Sequence, residues 1–293
     1  MHRILSTFFR KIKSILYALG LNIEPTGELN KIYLLKSEDD LLGIANKLPP
    51  CSYFVFDCPI GKVRSWGGRE LTSRHPLVAT LKKYNLTKNS QFKNSPLFDF
   101  SNDYYRIVKD AAECLNLSQK EAPGLSGLDP RSAVYPWSRW STDKQEKQYY
   151  LTLLDEHNVH ANSTYNLTDE QNYLKRGHQE INRLIATYCS IEKKGYMRKS
   201  SYDGDISGEL LLNNGEWIVL VTRGEHRIAA LSVLNFKTVP IRIRYADIVR
   251  LDESEYWLNV ANGVFSKNGA ESVFDNIFKK DNQGVYVNVY GWP

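Results

Sequence analysis

Cysteine is scarce in this chain, and so is any bias of charge. The 293 residues hold four cysteines, Cys51, Cys58, Cys114 and Cys189. None forms a C-x-x-C pair, so a disulfide scaffold is not expected and buried thiols in a reducing compartment are the default, although the Cys51/Cys58 spacing would allow a pair. Lysine and arginine number 38 against 33 acidic residues, a net charge of +5, with a pI near 8.8. That is short of the bias carried by a dedicated nucleic-acid binder. Phosphorylated small molecules or an anionic lipid surface suit it equally. No apolar run is long enough to cross a bilayer. There are no internal repeats and no low-complexity tracts.

What is present is an ordinary globular composition with an apolar share able to fill a core. The first residues are distinctive. Ile4, Leu5, Phe8, Phe9, Ile12, Leu16 and Leu19 fall on one helical stripe, while Arg3, Arg10, Lys11 and Lys13 stand between them and the first acid is Glu24. Residues 1–24 are expected to form a basic amphipathic helix, lying through residues 1–21 on an anionic membrane surface or docked on its own domain. Charges interrupt the stripe and no small-residue cleavage site follows, so a signal peptide is not expected.

Residues 25–160 read as a mixed α/β and helical region. A strand at 31–36, a helix from Ser37 to about Leu48 and a strand from Tyr53 to Asp57 make a small α/β unit. Helices are expected over 77–84, 101–117 and 142–156. Between them, residues 121–140 are rich in Pro and Gly and carry Tyr135, Trp137 and Trp140, a core cluster or a stacking platform. His157 and His160 have the spacing of a metal pair, but the second lies past the expected helix end.

Residues 161–293 form the third region. Thr168-Asp169-Glu170-Gln171 is a capping box opening a helix to about Cys189. Residues 195–208 read as loop with a short strand at most. A strand follows at 217–222, a helix at 225–234, a strand at 238–244, a helix at 267–279 capped by Ser266, and an alternating strand at 285–290. Asn235 stands where a left-handed C-cap residue belongs.

The chemistry concentrates at Arg223-Gly224-Glu225-His226-Arg227. A buried strand runs into a glycine turn and a helix that opens on charged residues. Such a corner points backbone amides, a guanidinium and an imidazole at one spot, which suits a phosphate group. Upstream, Asp203-Gly204-Asp205-Ile206-Ser207-Gly208-Glu209 brings carboxylates to the same neighbourhood. Asp205 and Glu209 are candidates for the base that deprotonates an attacking hydroxyl, or for Mg²⁺ ligands, with Glu225 and His226 as further catalytic candidates.

Gly224-Glu225-His226-Arg227-Ile228-Ala229-Ala230-Leu231 and the return strand Leu234-Asn235-Phe236-Lys237-Thr238-Val239-Pro240-Ile241 resemble the signature of the ParB/sulfiredoxin superfamily. Asn235 stands where that pattern has glycine. The resemblance implies an α/β (α+β) fold, with a ParB/sulfiredoxin-like mixed-sheet module in the C-terminal half. It implies ATP or ADP, with Mg²⁺, at Arg223, Gly224, Glu225, His226 and Arg227. Glu225 occupies the place of the sulfiredoxin cysteine, which disfavours sulfinic-acid reduction. No helix-turn-helix pattern follows Arg250, which disfavours chromosome partition. The expected function is therefore a nucleotide-dependent kinase acting on a hydroxyl of a small molecule or glycan, as in cell-surface polysaccharide biosynthesis. Its expected location is the cytoplasm, at the inner face of the membrane. A non-catalytic nucleotide-binding regulator is the alternative, and a nucleic-acid-binding module a third.

Overall fold

The computed structural model describes residues 32–34, 41, 43, 53–65, 67–107, 109–145, 170–198 and 205–279. The basic N-terminal stripe, the pair His157 and His160, the capping box apart from its last two residues, the strand expected at 285–290 and the boundary at 160/161 lie outside them.

A six-stranded mixed sheet organises the described residues. Its strands are β1 (Ile32–Leu34), β2 (Tyr53–Pro59), β3 (Val63–Arg64), β4 (Ile206–Asn213), β5 (Glu216–Arg223) and β6 (Thr238–Arg250), in the order β1-β2-β6-β4-β5-β3. β4 and β5 are antiparallel neighbours, and β4 runs parallel to β6. β2 lies antiparallel along β6, and β3 lies parallel along β5. Strands from before residue 65 thus flank the C-terminal strands on both sides.

The helices are α1 (Pro76–Thr87), α2 (Pro96–Ile107), α3 (Glu170–Lys194), α4 (Glu225–Val233), α5 (Leu258–Ala261) and α6 (Lys267–Phe278). Alternation along the strands sends side chains to two cores. Leu210, Leu212, Val219 and Val221 pack with Leu81 of α1, Leu184 of α3 and Ala230 of α4. Leu211, Ile218, Leu220 and Val249 pack on the other face with Trp137 and with Phe274 of α6. The sheet is therefore covered on both faces, by helices on one and by the 110–140 segment with α5 and α6 on the other.

Several local expectations meet the structure directly. Asn235 has φ 60° just past α4, and Ser266 Oγ accepts the Gly269 amide at 3.1 Å at the start of α6. The helix expected over 101–117 is instead broken. α2 ends at Ile107, because Asp110 Oδ1 accepts the amides of Ala112 and Glu113 at 3.0 and 2.9 Å and starts a separate turn. A strand does enter the segment 195–208, and it runs on beyond it. Ile206 opens β4, an eight-residue strand joined to β5 by Asn214-Gly215, whose φ angles of 47° and 88° form a two-residue hairpin turn. β6 runs on to Arg250, past the expected end at 244, with a register break against β4 between Gly208 and Leu210. Among the described residues, no helix is long and apolar enough to cross a membrane.

Candidate functional site

A cavity of about 210 Å³ opens on the second sheet face, under the segment 133–145. Its floor comes from three strands. Ser207 on β4 is the register partner of Arg223 on β5 and of Arg242 on β6. Ser207, Arg223 and Arg242 all line the cavity, Arg223 at a bulge where the pairing of β4 with β5 slips between Ser207 and Gly208. The Ser207 hydroxyl is buried and has no hydrogen-bond partner. The Arg242 guanidinium lies over the Tyr53 ring, 5.2 Å from its centre.

Glu209 lines the same cavity, two residues along β4. Its Oε2 accepts Trp137 Nε1–H at 2.7 Å. Burial, and then the charge of Asp247, push its carboxyl up to about 7, against the pull of Trp137, Arg139 and Arg244. Asp247 sits in the β6 bulge that the register break creates. It accepts Arg244 Nε at 2.6 Å and Nη2 at 2.9 Å, and Arg139 Nη2 at 2.8 Å. A carboxyl that is half ionised near neutrality can take or give a proton there.

The roof is anchored from one residue. Asn259 is 1 % exposed, and its Nδ2 donates to the carbonyls of Tyr135, Ser138 and Trp140 at 2.9, 3.2 and 3.4 Å. Tyr135 and Trp137 stack at 5.0 Å within the core, which fixes the indole that bonds Glu209. The Tyr135 phenol is raised well above its ordinary value by burial, then by the charges of Glu209 and Glu225. Of the three aromatics in this stretch, Trp140 alone is open, 39 % exposed at the cavity.

The expected site residues divide between the two faces. Arg223 and Glu209 line the cavity. Asp205 is 2 % exposed and held by Arg198, through Nε at 2.9 Å and Nη2 at 3.2 Å, with Arg242 Nη1 at 3.6 Å. Its carboxylate thus orders the floor arginine, and Arg198 meets this acid. Gly224, with φ 99°, is the N-cap of α4, and the Arg227 guanidinium folds back over it and donates to the Asp205 carbonyl at 3.2 Å. His226 Nε2 pairs with Glu180 of α3 at 3.0 Å, on the helical side of the sheet. Glu225 opens α4, close enough to act on the Tyr135 phenol.

The magnesium donor set expected at Asp205 and Glu209 does not fit this geometry. Asp205 gives its oxygens to arginines, and Glu209 is bonded by an indole and titrates near neutrality. Among the described residues, no group of three His, Cys, Asp or Glu side chains could hold a metal ion. Sequence reasoning passed over Arg242, Arg244, Asp247, Arg139 and Gln145. The two β6 arginines had a signal: in Ile241-Arg242-Ile243-Arg244 the alternation puts both isoleucines on one face and both arginines on the other. No protein-family model matches the chain, and neither a curated protein nor a solved structure does.

Proposed function

We propose that this protein is a phosphotransferase that moves a phosphoryl group from ATP or ADP to a hydroxyl of a small molecule or glycan. One observation carries the reading: Arg223 and Arg242 line the same cavity as Glu209. An acceptor hydroxyl held in that cavity is hydrogen-bonded to the carboxylate on one side and faces phosphorus on the other. The nucleotide supplies the transferable phosphoryl group. The arginines hold its oxygens by charge-assisted bonds worth about 1.5–3 kcal/mol each. Glu209, ionised above about pH 7, accepts the hydroxyl proton. The work is positioning and charge neutralisation, which phosphoryl transfer chiefly needs.

The order β5–glycine–α4–β6 supports the ParB/sulfiredoxin resemblance, and a mixed-sheet module of that type is part of the proposal. So is a cytoplasmic location at the inner membrane face through residues 1–21. No step above depends on a metal ion.

Turnover and binding of labelled ATP and ADP test the reading. Glu209→Gln should lower turnover about 100- to 10,000-fold with nucleotide affinity kept, while Arg223→Ala should weaken affinity. Wild-type turnover should climb as pH rises through about 7. Binding without turnover in the wild type would instead favour the regulator, and turnover indifferent to Glu209→Gln would remove the proposed base.

A further inference from the structure

Arg139 differs from the other arginines of the cavity in how it is held. Its guanidinium meets Asp247 through one bond, Nη2–H to Oδ1 at 2.8 Å, and its side chain is 37 % exposed. Arg244 grips the same carboxylate with two bonds, from Nε to Oδ2 and from Nη2 to Oδ1. Arg242 turns instead to Asp205, 3.6 Å away, a carboxylate that Arg198 also holds. A guanidinium carries five N–H donors, and a fork of two on one anion is its strong form. Arg139 thus uses little of its donor capacity on Asp247, and a half-open pair joined by one bond is weak. When Arg139 leaves, Asp247 keeps Arg244.

The backbone beside Arg139 is pinned. Asn259 Nδ2 holds the carbonyls of Ser138 and Trp140, the residues on either side, and the Trp140 amide donates to Ser138 Oγ at 3.1 Å. A change of partner is therefore a rotation of one long, half-open side chain over the cavity that it lines. The Asp247 carboxylate engages this guanidinium as the anion of a ligand would, so the two compete for it. Arg139, Arg223, Arg242 and Arg244 outnumber Glu209 and Asp247 in the lining, which favours a ligand of more than one negative charge.

We propose that Arg139 is a specificity-determining residue of this cavity: it passes from Asp247 to the second phosphate of a diphosphate group, with Asp247 as its internal competitor. The inference rests on the phosphotransferase reading for the place of the first phosphate, at Arg223 and Arg242. Arg244 stands two residues beyond Arg242 on β6, and Arg139 reaches over from the roof to the same side. A phosphate linked to the first extends toward this pair and takes Arg139. A single phosphate at Arg223 and Arg242 leaves Arg139 on Asp247. The site thereby tells a diphosphate from a lone phosphate.

Calorimetric titration of the full-length protein with pyrophosphate and with orthophosphate at pH 7 tests this in the wild type, Arg139→Gln, Asp247→Asn and the double variant. Arg139→Gln should weaken pyrophosphate binding about tenfold, the loss of one charge-assisted contact, and leave orthophosphate binding within about twofold. Asp247→Asn keeps an acceptor for Arg244 and should tighten pyrophosphate binding about fivefold, a gain that shrinks to about twofold or less when Arg139 is already replaced. Pyrophosphate affinity untouched by Arg139→Gln, an equal loss for both anions, or an Asp247→Asn gain of the same size with and without Arg139 would each overturn the inference, leaving Arg223 and Arg242 as the anion site. Binding of neither anion by the wild type would overturn the phosphotransferase reading and this inference with it.

Discussion

Glu209 is the residue through which pH reaches both stability and the site. Its carboxyl titrates at about 7 when folded, against an ordinary 4.5. Between those values the folded state keeps a proton that the unfolded state releases. Its own contribution to stability therefore falls as pH rises through that window, by roughly 3 kcal/mol, while buried His75, held down to about 3, contributes the opposite slope up to its ordinary 6.5. Glu209→Gln keeps an acceptor for Trp137 and removes the titration. Urea denaturation at pH 5, 6 and 8 should show the variant gaining stability relative to the wild type as pH rises, and standing as the more stable protein at pH 8. Equal slopes in the two proteins would assign the pH dependence elsewhere. The same residue shows what sequence can offer at this scale. The run Asp203–Glu209 marks carboxylates near a phosphate turn, but cannot say that Asp205 is consumed by Arg198 and Arg242 while Glu209 faces a cavity. That distinction depends on Arg242, which reaches the strand by a separate crossing of the sheet.

At the scale of the element, the β4–β5 hairpin is the part on which the site depends most. It carries Ser207, Glu209 and Arg223 and fixes their register. Asn214-Gly215 turns it with both residues at positive φ, a combination legible in sequence as a strong hairpin signal. β4 was obscured because its polar cavity residues interrupt the apolar pattern. A Cβ at Gly215 would meet no atom within 4 Å, so Gly215→Ala should cost only the left-handed strain, about 1–2 kcal/mol. Gly208 differs: its Cβ would lie 2.6 Å from Val219 Cγ1 and 2.7 Å from the Leu220 carbonyl oxygen. Gly208→Ala should cost more than Gly215→Ala and also displace Ser207 and Glu209. Paired measurements of unfolding free energy and pyrophosphate affinity check this, with Gly215→Ala changing the first alone.

At the scale of the molecule, the sheet joins early and late sequence. β2 pairs along β6 over seven register positions, Tyr53↔Arg244 to Pro59↔Thr238, and β3 closes the other side on β5. A fragment of residues 161–293 would expose both β6 and β5 as unpaired edges. It should aggregate or lack the cooperative unfolding of the whole chain, and co-expression with residues 1–160 should restore both. A fragment that melts cooperatively by itself would show the C-terminal part to be independent. The sequence by itself determined the strand–glycine–helix–strand order around Gly224, the caps at Ser266 and Asn235 and the mixed α/β class, because each is set by neighbours a few residues apart. Only the tertiary structure decided which charges share a face. Arg139, Glu209, Arg242 and Asp247 come from distant segments, and the pairing of β4 between β5 and β6, with its bulge, brings them to one cavity while turning His226 toward α3.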